Sequence, residues 1–305
     1  MVKKEKLFND KVLFKHYIFS IIGYTSFIFV NLILFILSPI ILLISFIFFD
    51  RDRILFSYAI KFFYYVFYYL NIPQRHYFDF NGMKSPKKGQ RRIYVINHAS
   101  IFDVIFMSIL PGAIKSIMKE SYTKLPLIGW LSILSGNIIL KEDFGTGEHF
   151  DFYERVKEKL ERGVCLAIYP EGTRSKDGKI GKFYEGTFKL AFDTEANLVP
   201  VVFDSWNIIR PGAFWIRDVK TAGRILNEIR YEDIKDYSYK EVAKVIRTIM
   251  IEALLEIRDK RRENDKKYYR NDSQFLKIDL EMREELEDFK KKINTELYNK
   301  LRGIK

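Results

Sequence analysis

The chain has 305 residues, and 51 Lys+Arg against 39 Asp+Glu give a net charge of +12. That length supports one large domain or two small ones with a real core. A hydrophobic content of 48% with 30% charged residues excludes global disorder. One cysteine, Cys165, excludes an internal disulfide framework, and with four histidines it leaves no Cys/His zinc cluster.

Tyr17 to Phe49 holds 33 consecutive residues without a charge, after Lys3, Lys4, Lys6, Lys11 and Lys15 and before Asp50-Arg51-Asp52-Arg53. A cleaved signal peptide has a shorter apolar core. As one helix the run reaches about 50 Å against a hydrocarbon core of ~30 Å. Asn31 and Ser38-Pro39 are break points, so the pattern predicts a bent helix or a re-entrant hairpin. Basic flanks on both sides predict that both ends lie on the cytoplasmic face of a membrane. Ile54 to Leu70 then predicts an amphipathic helix in the headgroup layer, with Ser57, Lys61, Tyr64 and Tyr68 opposite Leu55, Ile60, Phe63, Phe67 and Leu70. Residues 17–70 hold 18 of the 49 aromatic residues, and aromatic rings prefer that interface. The basic excess suits an anionic lipid surface or a phosphorylated substrate. No nucleic-acid-binding motif accompanies it.

From Asp79-Phe80-Asn81-Gly82, a hairpin turn signal, the chain alternates short apolar runs with helical patterns. Strands are predicted at 92–96, 114–118, 137–140, 164–169 and 198–203, with helices at 101–110, 125–134, 148–162 and 186–197. The fold class is therefore α/β, a mixed and largely parallel sheet flanked by helices. Tyr239 to Ile257 predicts an amphipathic helix packed on this domain. Residues 240–305 carry 32 charges among 66 residues. The spacing from Phe275 to Leu301 predicts a solvated charged helix, or a partner helix through which two copies form a homodimer. The expected divisions are a membrane-anchoring helical segment at 1–72, a catalytic domain at 73–260 and a charged tail at 261–305.

Two short stretches carry chemistry. In Asn97-His98-Ala99-Ser100-Ile101-Phe102-Asp103, His98 and Asp103 are five apart, about 140° around a single helix. They meet only if His98 lies in a loop and Asp103 in the first helical turn. Ser100 and Asp103 match a capping box, which produces that geometry. A carboxylate on one imidazole nitrogen fixes the tautomer and frees the other as a general base. Helix capping beside a surface histidine is the other reading of the same spacing. The second stretch, Tyr169-Pro170-Glu171-Gly172-Thr173-Arg174-Ser175, follows a buried strand, where α/β sheets place ligands. Gly172 permits close backbone approach to an anion, Arg174 offers a bidentate fork, and Thr173 and Ser175 add hydroxyls. A β-turn with Pro second and Gly fourth has the same composition.

Together the stretches resemble the 1-acylglycerol-3-phosphate acyltransferases, a glycerolipid acyltransferase family. His98 and Asp103 match the family's histidine–four residues–aspartate block, and Pro170 to Ser175 its substrate-binding block. Leu198-Val199-Pro200-Val201 and the Lys119-Glu120 to Trp130 segment match further blocks, over roughly residues 90–260. The resemblance implies a membrane-bound enzyme with the lipid bilayer as partner. It would transfer an acyl group from acyl-CoA or acyl carrier protein to the sn-2 hydroxyl of lysophosphatidic acid. No metal or redox cofactor is implied; the thioester is a co-substrate. By the same resemblance His98 and Asp103 are catalytic, and Glu171, Gly172, Thr173, Arg174, Ser175 and Lys141 bind substrate. Lys141 stands where the family usually has arginine. A different lysophospholipid acceptor, or an inactive membrane-anchored scaffold, is the alternative.

Overall fold

The computed structural model describes residues 13–70, 76–87, 89–140, 148–210, 212–217, 219, 221–264 and 273–303. Two helices, α1 (Phe14–Ile47) and α2 (Ile54–Leu70), precede the domain. Strand β1 (His76–Asp79) leads to β2 (Arg92–Ile96), α3 (Asp103–Ser108) and β3 (Ala113–Lys119). A short 3-10 turn (Glu120–Lys124) then precedes α4 (Ile128–Leu134) and β4 (Ile138–Leu140). They are followed by α5 (Glu148–Glu161), β5 (Val164–Ile168), α6 (Gly186–Asp193), β6 (Asn197–Asp204) and β7 (Thr221–Ile225). Four helices close the chain: α7 (Tyr231–Ile234), α8 (Tyr239–Asn264), α9 (Ser273–Lys290) and α10 (Thr295–Arg302).

The strands form a single seven-stranded sheet in the order β1-β7-β6-β2-β5-β3-β4, parallel except at β6–β7. Strand residues alternate between its two faces, as the two-residue period of a strand demands. Ile93, Val95, Leu166, Leu198 and Val202 join the layer of α5, α6 and α8–α10. Tyr94, Ile96, Ala167, Val199, Val201 and Phe203 join the layer of α1–α4. Burial on both faces explains why β2, β5 and β6 are legible as continuous apolar runs.

Asn81 and Gly82 form the expected turn, both with positive φ and with Met83 N–H donating to the Phe80 carbonyl at 2.8 Å. It does not join a hairpin, because β1 pairs in parallel with β7 at the sheet edge.

Of the two expectations for the apolar run, the re-entrant hairpin is not what forms: α1 is one continuous helix through Pro39. Proline removes the N–H that would bond the Phe35 carbonyl, and Ser38 Oγ donates to that carbonyl at 2.7 Å instead. The chain reverses at residues 48–53, so the hairpin is made by α1 with α2. On α2 the polar stripe faces the domain and not the headgroups, and Phe67 of the apolar stripe is buried as well. Lys61 donates to the Leu110 and Gly112 carbonyls, Ser57 to Ile114, and Tyr64 to Asn31 of α1, while Leu55 and Phe62 stay exposed. The domain supplies the acceptors these groups need, which the helix period alone does not reveal.

The tail is likewise part of the core. Phe275, Ile278, Met282 and Leu286 of α9 and Leu297 of α10 are buried. The apolar spacing that suggested a partner helix is thus used within the chain.

Candidate active site

Strands β6, β2 and β5 lie side by side and parallel, so their carboxyl ends open at one edge of the sheet. That edge is where open α/β sheets bind ligands. Asn97 ends β2 and locks it to β6, donating to the Phe203 carbonyl at 2.9 Å and accepting from Phe203 N–H at 2.7 Å. The next residue, His98, therefore leaves the sheet from a fixed point.

His98 lies in the loop and Asp103 opens α3, so the two side chains meet, His98 Nδ1 to Asp103 Oδ2 at 3.1 Å. Asp103 is fully buried while His98 keeps 19% exposure. The same Oδ2 accepts from Ala99 N–H and Ser100 N–H, each at 2.7 Å, and Oδ1 accepts from the Ser205 hydroxyl. The reach-back half of the capping box is present. Ser100 Oγ, however, accepts from Phe102 N–H at 3.3 Å, one residue short of the expected partner. Tyr169 stacks on the imidazole with ring centroids 4.4 Å apart. Burial, then the Asp103 charge, push its phenol well above the ordinary value, so this ring stays neutral. With Nδ1 engaged by Asp103, Nε2 is the nitrogen left for a substrate.

Tyr169 to Gly172 forms the expected turn, Gly172 N–H donating to the Tyr169 carbonyl at 3.0 Å. Gly172 has φ +67, which strains any L side chain, and a Cβ there would sit 2.8 Å from the exposed Tyr184 ring, which would have to shift. Glu171 points inward, accepting from His98 N–H and Gly181 N–H, both at 2.8 Å. Burial pushes its carboxyl up to about 7, despite the two amides that favour the charged form. Glu171 thus joins the His98 backbone to the far end of the loop. Ser175 N–H donates to the His98 carbonyl at 2.7 Å, tying the loop to the histidine from the other side. Thr173 and Arg174 are exposed and, with Ser175, Lys179 and Lys182, line a cleft of about 710 Å³. The structure therefore brings together His98, Asp103 and the 171–175 run. Lys141 lies outside the described residues.

Sequence reasoning missed Ser205 and Tyr169. Ser205 is 102 residues from Asp103 and has no motif of its own. The available signal is its position just past the end of a strand parallel to β2.

A largely parallel α/β sheet thus carries a carboxylate-held histidine and an arginine-bearing cleft at the carboxyl ends of its strands. Residues 77–204 match the Acyltransferase family model. The chain is 32% identical over 148 residues to a chloroplastic 1-acyl-sn-glycerol-3-phosphate acyltransferase of Arabidopsis thaliana, covering 48% of this chain and 39% of that protein. It is 29% identical over 175 residues to a 1-acyl-sn-glycerol-3-phosphate acyltransferase of Limnanthes douglasii, covering 57% and 62%. The match thus spans from about two-fifths to three-fifths of these relatives. The crystal structure of the 1-acyl-sn-glycerophosphate acyltransferase PlsC from Thermotoga maritima shares the fold. Its TM-score is 0.64 at 20% identity, over 80% of this chain and 96% of that one.

Proposed function

We propose that this protein transfers a fatty acyl group from acyl-CoA or acyl carrier protein to the sn-2 hydroxyl of 1-acylglycerol-3-phosphate, giving phosphatidic acid. The observation that carries this reading is the Asp103–His98 pair set directly beside the Arg174 cleft, within the residues that match the Acyltransferase family model. His98 Nε2 takes the hydroxyl proton as that oxygen attacks the thioester carbon. A C–O bond forms, the C–S bond breaks, and the leaving thiolate receives the proton. Asp103 keeps the proton on Nδ1 beforehand and stabilises the imidazolium afterwards. Arg174, with Thr173 and Ser175, holds the acceptor phosphate, and Lys141 is assigned the same role by the family resemblance. No cofactor is called for.

A bilayer partner follows from α1, which is long and apolar enough to cross a membrane by length and composition. Both acyl chains partition into lipid, so a site beside α1 works without extracting them into water. We place the active site on the cytoplasmic face, where acyl-CoA and acyl carrier protein are available.

The test is thioester-dependent acylation of lysophosphatidate by detergent-solubilised protein, with His98→Ala in parallel. Activity should fall by roughly 10²–10⁴-fold in the folded variant. Turnover only on another lysolipid moves the acceptor assignment, and equal activity in His98→Ala removes His98 from the reaction.

A further inference from the structure

The acyl-transfer reading leaves one buried charge cluster without a role. Arg258 of α8 is 1% exposed, and its partners Asp204 and Asp279 are fully buried. Its guanidinium uses every face. Nε donates to Asp204 Oδ1 at 3.2 Å, Nη1 to Asp279 Oδ1 of α9 at 2.5 Å, and Nη2 to the Gly178 carbonyl at 2.8 Å. The plane lies 4.6 Å from the Phe275 ring centroid, and Phe275 in turn packs on Trp206 at 5.7 Å. Arg261 also pairs with Asp204, and Arg262 with Asp279.

Two of these contacts lead to the two halves of the site. Asp204 is followed by Ser205, whose hydroxyl donates to Asp103 Oδ1. Gly178 N–H donates to Ser175 Oγ at 3.0 Å, and Ser175 N–H donates to the His98 carbonyl. One rigid fork therefore touches the chain next to the general-base pair and the chain that carries Arg174. A second clasp lies outside it, where Lys179 of the loop meets Glu281 and Glu285 of α9 at 2.9 and 2.8 Å. Buried ion pairs are weak stabilisers compared with well-packed apolar groups, so stability alone does not account for three buried charges at this spot. A planar five-donor fork is suited to fixing the relative position of several acceptors.

We propose that Arg258, oriented by Asp279, is a positioning residue that sets the Asp103–His98 pair and the Arg174 loop relative to each other. The proposal rests on the acyl-transfer reading. It makes α9, which lies outside the matched residues 77–204, part of the frame of the site.

The experiment uses the full chain in detergent, with lysophosphatidate and a long-chain acyl-CoA, comparing wild type, Arg258→Lys and Asp279→Asn. Both variants should lose between about 10- and 100-fold in kcat, the scale of a small misplacement of reacting groups. The acid limb of the pH–rate profile, set by the base, should move with it. The double variant Glu281→Gln/Glu285→Gln changes side chains that are 44% and 43% exposed, so it folds without burial cost. It should raise the KM for lysophosphatidate several-fold at nearly constant kcat. Variants that melt earlier yet keep kcat, KM and the pH limb overturn the proposal, because a merely structural cluster predicts that result. If neither buried variant folds, the double variant decides, and an unchanged KM overturns the proposal. A folded wild type without thioester-dependent activity overturns the acyl-transfer reading, and the positioning role with it.

Discussion

Asp103 accepts four hydrogen bonds with two oxygens, from His98, Ala99, Ser100 and Ser205. A carboxylate so saturated cannot rotate, and the imidazole it holds cannot turn away. The pairing of His98 with Asp103 was legible because loop-to-helix geometry is the one arrangement in which a spacing of five brings them together. Ser205 was not, since contacts across parallel strands leave no local pattern. Glu171 is the more unusual acid. Its carboxyl has an ordinary value of 4.5 and is pushed up to about 7, so between these values the folded chain keeps a proton that the unfolded chain has released. Its contribution to stability therefore falls as pH rises through that window, by on the order of 2 kcal/mol between pH 5 and pH 8. Glu171→Gln removes this titration and also takes away one of the two amide acceptors, a loss that does not change with pH. The unfolding free energy of the variant should rise relative to wild type by that amount between the two pH values, measured by denaturant in detergent. A difference independent of pH would mean that Glu171 titrates near its ordinary value.

At the scale of elements, the turn between α1 and α2 is where the helical hairpin is fastened to the domain. Asp52 is buried there and bonds Lys159 of α5 at 3.1 Å and, through both oxygens, Arg162 just beyond the end of α5. Burial pushes its carboxyl up, but the hydrogen bonds and charges of Arg162 and Lys159 outweigh burial and hold it below the ordinary 3.8. Arg53 adds bonds to the Ile133 and Leu134 carbonyls at 2.8 Å, and buried Lys115 donates back to the Arg53 carbonyl at 3.0 Å. Asp52→Asn should destabilise the protein by on the order of 2 kcal/mol at neutral pH, the worth of charge-assisted hydrogen bonds. Because the folded value is depressed, this stabilisation is complete above 3.8 and fades as pH falls through the lower folded value. Thermal unfolding of both proteins should therefore converge on acidification. Sequence periodicity gave no hint of this fastening, although it located α5 and the end of the apolar run. It located β2, β5 and β6 for a simple reason: strands buried on both faces are apolar throughout. Thr221–Ile225, β7, has no such run and is a strand through its pairing with β6 and β1. The charged tail misled in the opposite sense, because charge density reads as solvation even where Arg258 and Asp279 neutralise each other inside the protein.

For the whole molecule, the decisive feature is how α1 lies on the domain. Its buried residues, His16, Ser20, Gly23, Val30, Asn31, Leu34, Ser38 and Ser45, form one stripe about 100° wide along the full helix. Phe14, Ile21, Phe29, Ile36, Leu43 and Phe46 occupy the opposite face and are exposed. Contacts with the domain on and beside this stripe run from Tyr17 to Phe35. Tyr17 packs on Trp215 at 4.8 Å, Ser20 Oγ accepts from Ile216 N–H at 2.8 Å, and Phe35 meets Trp130 at 5.6 Å. A helix crossing a ~30 Å hydrocarbon core would carry these attached surfaces into the lipid, along with the polar backbone of the loops that hold them. A helix lying in the plane of one leaflet exposes only its outer aliphatic and aromatic face to lipid and keeps the domain in water. On that proposed placement both ends of α1 lie on the same side. Cysteines introduced singly at Phe14 and Phe49 should therefore both react with a membrane-impermeant thiol reagent added from the cytoplasmic side. The native Cys165 is buried and gives little background. Protection of one position, with labelling of it from the opposite side, would mean that α1 crosses the bilayer. Its contacts with Trp215 and Trp130 could not then both survive in the membrane.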